Sequence, residues 1–490
     1  MKINPYIHYP SVYLFTVIVL FCTSCNKQLD ELRPHNVIFE ESQFDSPQGY
    51  TKAVTGTYAL ISGAASPTSF SYNDMIIFFG EAKGNTIKSL DAEINKKTDV
   101  FDYVNSGNKD LSYTYDYWRA SYSCILHINK ILKHVSDSET NPVILQAKAD
   151  ALFLRAYVYF NLVRLYGKPY YQNPNESLGV MLILKDNNGP GFAPARATLA
   201  QVYQQIIADL EAAAPLFTAK RTSSYGSKYG AYAFLSRVYL YMGGSLASPV
   251  DEYNQKAAEY ATKVIDEGGY KLLEGTEYTE YYKTNNVHNK EDIFAVNTDY
   301  KQGLISNFFA MPSQINYSGG LYRPSPYLLA LMEPADLRNH FYITNVTPGY
   351  PADNRAVSKY MINYVSLYSI SPLRYLRLAE MYLNRAEAYS KLRRDGDALI
   401  DVNIIRQRAG LLPLSGLQST ALQEEILKQR KLELAFEGHA SFDEFRNGIP
   451  MVRNYTSGSS GAMTVQPTDR KVILQIPEEE IIENNNLKPN

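Results

Sequence analysis

Cysteine is almost missing from this chain of 490 residues: there are three, and two of them, Cys22 and Cys25, sit near the N-terminus. Cys124 alone remains in the body, which excludes a disulfide framework and a cysteine metal site, so packing must supply the stability. Tryptophan is scarcer still, with Trp118 standing against 41 tyrosines. Neither sign of charge is in excess: 48 Lys and Arg against 50 Asp and Glu leave a net charge of −2. With no long basic run, nucleic acid is excluded as the main partner. Beyond the N-terminus, no apolar run reaches the ~20 residues that span a bilayer. Catalytic constellations are lacking too, with no nucleophile elbow, phosphate loop or dinucleotide glycine fingerprint. His127 and His134 have no acidic ligand at metal spacing and read as ordinary histidines. Glu433 and Glu437 lie one helical turn apart near His439 and Asp443. Arg406, Arg408, Arg430 and Arg446 are close by in sequence, which favours an ion-paired helix terminus over acid–base work.

What is present begins at the N-terminus. Lys2 precedes the apolar run Val12 to Phe21, and Thr23 and Ser24 then lead into Cys25. The run fits the ~7–15 residue core of a secretory signal. Small residues at −1 and −2 suit a peptidase groove, and the thiol at +1 can take a diacylglyceryl group. Residues 1–24 are therefore expected to be a lipoprotein signal peptide, with lipidation at Cys25 anchoring the chain 25–490 to a membrane. Cys22 departs from the larger aliphatic usual at −3.

Helical periods dominate the body. Ile144, Ala147, Ala151, Leu154, Val158, Leu162 and Leu165 recur at three- and four-residue steps, and Gly167 with Pro169 supplies a stop. Similar patterns run through Ala231–Met242, Leu373–Leu392, Ala398–Ala409 and Leu422–Phe436. Small residues alternate with Tyr or Phe in the manner of tetratricopeptide helix pairs, but at irregular spacing. The expected fold is mainly α, with helical pairs at about 40–62, 113–267 and 373–447. Loop-rich, aromatic insertions interrupt them at about 63–112 and 270–370 and are the natural carriers of a binding surface. Val472 to Ile476 reads as a short strand.

Several motifs together resemble the SusD/RagB family. They are Ala149 to Tyr157 running on to Leu165-Tyr166-Gly167; Tyr375 to Leu383 with Arg385 to Ala388; and Asn403, Ile405-Arg406 and Arg408-Ala409-Gly410. Glu433 to His439, Phe442-Asp443 and Arg446 follow, while Trp118, Tyr122, Ile125 and Asn129 fit the first tetratricopeptide-like helix. One departure is Gln429-Arg430-Lys431, where the family commonly carries E-R-R. The resemblance implies a non-catalytic, cell-surface, outer-membrane lipoprotein. It would bind a glycan and deliver it to a TonB-dependent SusC-like transporter, with no cofactor and with calcium left open.

It also implies that ligand binds on aromatics carried by the loops. The expected stacking and hydrogen-bonding residues are Phe78 and Phe79 beside Glu81 and Asn85, then Tyr300, Tyr317 and Tyr322 beside Asn316 and Arg323. Trp118 reads as core, and Asp336 with Arg338 as a structural pair. Capture of peptides or glycoprotein glycans by the same scaffold is the alternative. A glycosidase comes last, since no carboxylate pair is legible.

Overall fold

Asn141 starts the longest helix: its side chain accepts the Val143 N–H at 2.9 Å while Pro142 occupies the first turn. In the computed structural model this helix, α4, runs Pro142–Tyr166. The structure describes residues 40–63, 72–89, 98–103, 112–186, 189, 191–283, 289–296, 305–309, 322–343, 356–360, 372–455 and 461–490. The fold is mainly helical. Preceding α4 are α1 (Pro47–Ser62), α2 (Tyr72–Ala82) and α3 (Ser112–Lys133). After it come α5 (Leu199–Ala213), α6 (Lys228–Met242), α7 (Asp251–Glu267), α8 (Leu378–Lys391), α9 (Asp395–Arg408), α10 (Ser419–Leu434) and α11 (Ala440–Arg446).

From α3 to α10 each of these helices packs on the next, α7 against α8 included, although more than a hundred residues separate those two in sequence. The insertion is thus looped out while the helical array stays continuous. Because α1, α3 and α5 all cover α4, its residues from Ala149 to Tyr166 are buried without exception. Trp118 is core as expected, its ring 4.9 Å from Tyr122 and 4.8 Å from Tyr166. Tyrosines fill helix seams in the same way, as where Tyr239 stacks on Tyr260 at 5.8 Å.

Strands are short and pair in antiparallel twos among the described residues: β1 (Ile87–Ser89) with β5 (Tyr322–Pro324), β2 (Leu178–Met181) with β3 (Arg196–Thr198), and β4 (Asp292–Val296) with β8 (Leu373–Arg377). The pairs β6 (Tyr342–Ile343) with β7 (Ala356–Val357) and β9 (Met451–Arg453) with β10 (Met463–Val465) complete them. Three sequence expectations change here. Leu373 to Arg377 is a strand, not the first turn of α8, because it finds a partner in β4 across the insertion. Val472 to Ile476 forms no strand; Leu474 donates to the Leu165 carbonyl at 2.7 Å instead. And α2 lies inside the stretch read as loop, since a helix buried on nearly every face shows no polar period.

Beside the β4–β8 pair, buried charge ties the insertion to the array. Glu291, Asp292, Asp336, Glu433 and Glu437 face Arg338, Lys359, Arg374, Arg377 and Arg408, a matched set of acids and bases. Arg377 is central: it reaches Glu433 at 2.6 Å, Glu437 at 2.7 Å and Glu291 at 3.2 Å. Glu433 and Glu437 are therefore ion-paired structural residues, as are Asp336 and Arg338. Gln429, the departure from the family motif, accepts from Arg338 at 2.8 Å and so keeps the contact without the charge.

Where α2 meets the turn after α10, backbone approaches backbone. A Cβ at Gly80 would lie 2.3 Å from the Gly438 carbonyl oxygen, an atom that cannot swing away. Gly80→Ala is expected to cost about 1–3 kcal/mol through overpacking, read as a lower midpoint in urea unfolding. An unchanged midpoint would refute the close approach.

Candidate functional site

Ser325 organises the site locally. Its hydroxyl caps the short helix Pro326–Ala330 by accepting the Leu328 N–H at 3.0 Å and donates to the Asn85 carbonyl at 2.6 Å. This tie, continued by the β1–β5 pairing, sets Tyr327 beside Asn85 although the two are far apart in sequence. On the other side, α10 supplies Lys431 and α11 supplies Glu444. Between them lies a cavity of about 500 Å³, walled on its apolar side by Leu331, Leu427, Leu434 and Val452.

Lys431 is the polar centre. Its ammonium donates to Glu444 Oε1 at 2.8 Å, Asn85 Oδ1 at 3.0 Å and Tyr327 Oη at 3.4 Å, and lies 4.7 Å from the Tyr327 ring centroid. Burial works against its charge, but Glu444 and Tyr327 outweigh it and hold the pKa above the usual lysine value. Glu444 is only 5 % exposed, and burial raises its pKa more than Lys431 lowers it. Its Oε2 has no hydrogen-bond partner, and neither has His439 Nδ1, on a second buried side chain lining the same cavity. Burial and the guanidiniums of Arg237 and Arg430 keep His439 neutral. Asp443 is occupied: both its oxygens accept from Arg430 and Arg446, and these arginines hold its pKa low against burial, so it cannot serve as a general acid.

The cavity therefore offers a fixed ammonium and one half-buried aromatic ring against an apolar wall, with two unpartnered polar atoms buried behind its lining. Such a mixture suits a neutral guest with many hydroxyls and an apolar face.

Of the residues expected from sequence, Asn85 lines this cavity. Phe78, Phe79 and Tyr322 are corrected to core. Phe78 stacks on Phe308 at 4.2 Å and sits 5.6 Å from Tyr322, while Phe79 meets the Tyr117 ring edge-on at 5.8 Å. With their faces covered by other rings, they have none to present to a sugar. Glu81 is corrected likewise: it accepts from Thr86 Oγ1 at 2.6 Å and from the Gly438 N–H at 2.9 Å, fastening α2 to the turn after α10. Arg323 is buried on β5 with its Nη1 donating to the Tyr322 carbonyl at 3.3 Å. Tyr300, Asn316, Tyr317 and Cys25 lie outside the described residues. Sequence reasoning missed Lys431, Glu444, His439 and Tyr327 as a site. One signal was available: Lys431, with Gln429, is one of the two positions at which this chain departs from the family's E-R-R run.

Comparison with known proteins adds the following. A family model described as "Starch-binding associating with outer membrane" matches residues 31–240, and one described as "SusD family" matches residues 336–490. A curated SusD-like protein of Formosa agariphila, P2, is 25% identical, with 98% of this chain and 99% of the relative covered. A SusD-like protein of Bacteroides ovatus is 24% identical over 65% of this chain and 63% of its own length. Among solved structures, a SusD superfamily protein of Bacteroides thetaiotaomicron superposes with a TM-score of 0.75 at 25% identity, covering 91% of this chain and 99% of that one. A Bacteroides vulgatus SusD superfamily protein gives 0.77 at 24% identity, covering 91% and 98%, a likeness of fold.

Proposed function

Because the chain belongs to the SusD/RagB family of outer-membrane-associated, glycan-binding proteins, we propose that it captures an oligo- or polysaccharide at the cell surface and hands it to a SusC-like, TonB-dependent transporter. Lipidation at Cys25 would keep it there, and no described helix is long and apolar enough to cross a membrane. The observation that carries the ligand assignment is the cavity beside Asn85, where the Tyr327 ring and an apolar wall flank the Lys431 ammonium. A sugar hydroxyl can take the place of Tyr327 Oη, the longest of the three Lys431 contacts, while the pyranose C–H face lies on the Tyr327 ring and the leucine wall. One ring supplies roughly 0.5–1.5 kcal/mol, so useful affinity draws on several sugar units or on the high local concentration of a tethered protein.

Affinity electrophoresis against a panel of soluble polysaccharides tests this reading. Retardation by at least one polysaccharide without release of reducing ends is expected. Tyr327→Ala is expected to weaken that retardation about 2- to 10-fold, the equivalent of losing one stacked ring. Retention of peptides with no polysaccharide retarded would replace the glycan reading by peptide capture. Retardation unaltered in the variant would remove the cavity as the site. Co-purification with a SusC-like β-barrel checks the transporter step, as does its loss on Cys25→Ala.

A further inference from the structure

A second, smaller cavity has a lining as unusual as the first. It measures about 30 Å³, above the ~10–15 Å³ that one small guest requires. It lies between the C-terminal end of α4, the α11 helix and the segment at Val472-Ile473. The described residues around it include four cations, Lys83, Arg164, Lys168 and Arg446, and no Asp or Glu. Arg446 is neutralised, since Glu387 and Asp443 accept from it at 2.5–2.9 Å. Lys168 is exposed at the mouth.

Lys83 and Arg164 are in a different position. Lys83 is 3 % exposed, yet its ammonium has no hydrogen-bond partner; the Tyr103 ring centroid lies 5.3 Å away. Arg164 is 8 % exposed and donates to Tyr241 Oη at 3.1 Å and Asn161 Oδ1 at 2.5 Å, both uncharged. Its remaining Nε–H is buried and unpartnered. Rings of Phe160 and Phe442 flank the guanidinium at 4.6 and 4.4 Å, which softens its charge without cancelling it.

Two buried cations on residues that line one cavity, with no carboxylate on its wall, are costly unless one is discharged or a negative charge joins them. Loss of the Lys83 proton is within reach, because burial lowers its pKa to about 7. A guest of opposite charge meets the same need and also fills two orphaned donors and the void. We propose that this cavity is a binding site for one small inorganic anion of halide size, held by Lys83 Nζ and Arg164 Nε. The anion would pin α11 and the C-terminal segment against α4. No residue lines both this cavity and the Lys431 cavity, although α11 contributes to each.

Thermal unfolding of the full chain in sodium chloride, against sodium gluconate at matched ionic strength, tests the proposal. Gluconate is too large for the void and controls for screening. A chloride-specific rise of the midpoint that saturates with concentration is expected from linkage. Lys83→Met should weaken the apparent chloride affinity at least tenfold, whereas Lys168→Met should leave it unchanged. Wild-type curves that coincide in the two salts, or a chloride effect retained in full by Lys83→Met, would overturn the site. Should Lys83→Met fail to fold, crystals of the wild-type protein soaked in bromide decide. An anomalous peak between Lys83 and Arg164 supports the proposal, and a cavity without bromide refutes it.

Discussion

Arg377→Met is expected to destabilise the protein by about 3–5 kcal/mol, the cost of removing one partner from a buried ion network. The side chain is 1 % exposed and its guanidinium contacts Glu291, Glu433 and Glu437, each itself buried. Methionine keeps much of the volume and loses the charge, so the effect isolates electrostatics from cavity formation. Arg408 still reaches Glu291 at 2.9 Å and Glu433 at 2.5 Å and Lys359 still reaches Glu437 at 2.7 Å, but two cations then face three buried carboxylates. The loss should fall on the joint between the insertion, through β4 and β8, and the array at α10. Urea unfolding with proteolysis of the 270–370 stretch as a second readout measures it. A change below ~1 kcal/mol, the range of exposed ion pairs, would show that the network is dispensable.

Acidification should act on the same network, and its direction follows from which carboxyls are shifted which way. Burial alone would raise the Glu437 carboxyl, but Arg377 and Lys359 outweigh burial and hold its pKa at about 2. Glu433 is held well below its usual range, burial being outweighed there by Arg408 and Arg377. Each binds fewer protons folded than unfolded. Their stabilisation is present above the unfolded carboxyl value of ~4.5 and drains away as pH falls from there toward 2. For Glu437 alone, a shift from 4.5 to about 2 corresponds to roughly 3 kcal/mol.

Other buried carboxyls run the opposite way. Desolvation raises Glu81, Asp150 and Glu444 despite their hydrogen bonds, so these gain stability as pH falls through their folded values. His439, held neutral in the fold, adds a loss that begins as pH drops below about 6.5, so the expected profile declines gently from there and then falls by several kcal/mol between pH 4.5 and 2. Denaturant midpoints measured at half-unit pH steps check it. A profile flat down to pH 3 would mean that Glu433 and Glu437 are not held as charged groups.

The long helices were legible because their causes are local. The apolar period from Ile144 to Leu165 and the stop at Gly167 mark α4 in the sequence, whereas the caps at Asn141 and at Thr198, where Gln201 closes a capping box with contacts of 2.9 and 3.3 Å, came only with the structure. The ion-paired reading of Glu433 and Glu437 also followed from sequence, since arginines crowd that region. The candidate site was harder. Phe78 lies in an aromatic, apolar helix and Lys431 in a charged one without aromatics, yet nothing near Phe78 says whether its ring meets solvent or Phe308.

By itself, then, the sequence determined the helical period of the array, its stops, the absence of disulfides and the family motifs, all features encoded within a turn or two of chain. Tertiary structure alone decided that α7 packs on α8 across the insertion, that Leu373 to Arg377 pairs as a strand, and that Phe78, Phe79 and Tyr322 are core. It also decided that Asn85, Tyr327, Lys431 and Glu444 share one cavity. The reason is physical: burial and ion pairing depend on neighbours hundreds of residues away, and Lys431 meets Asn85 across 346 positions of chain.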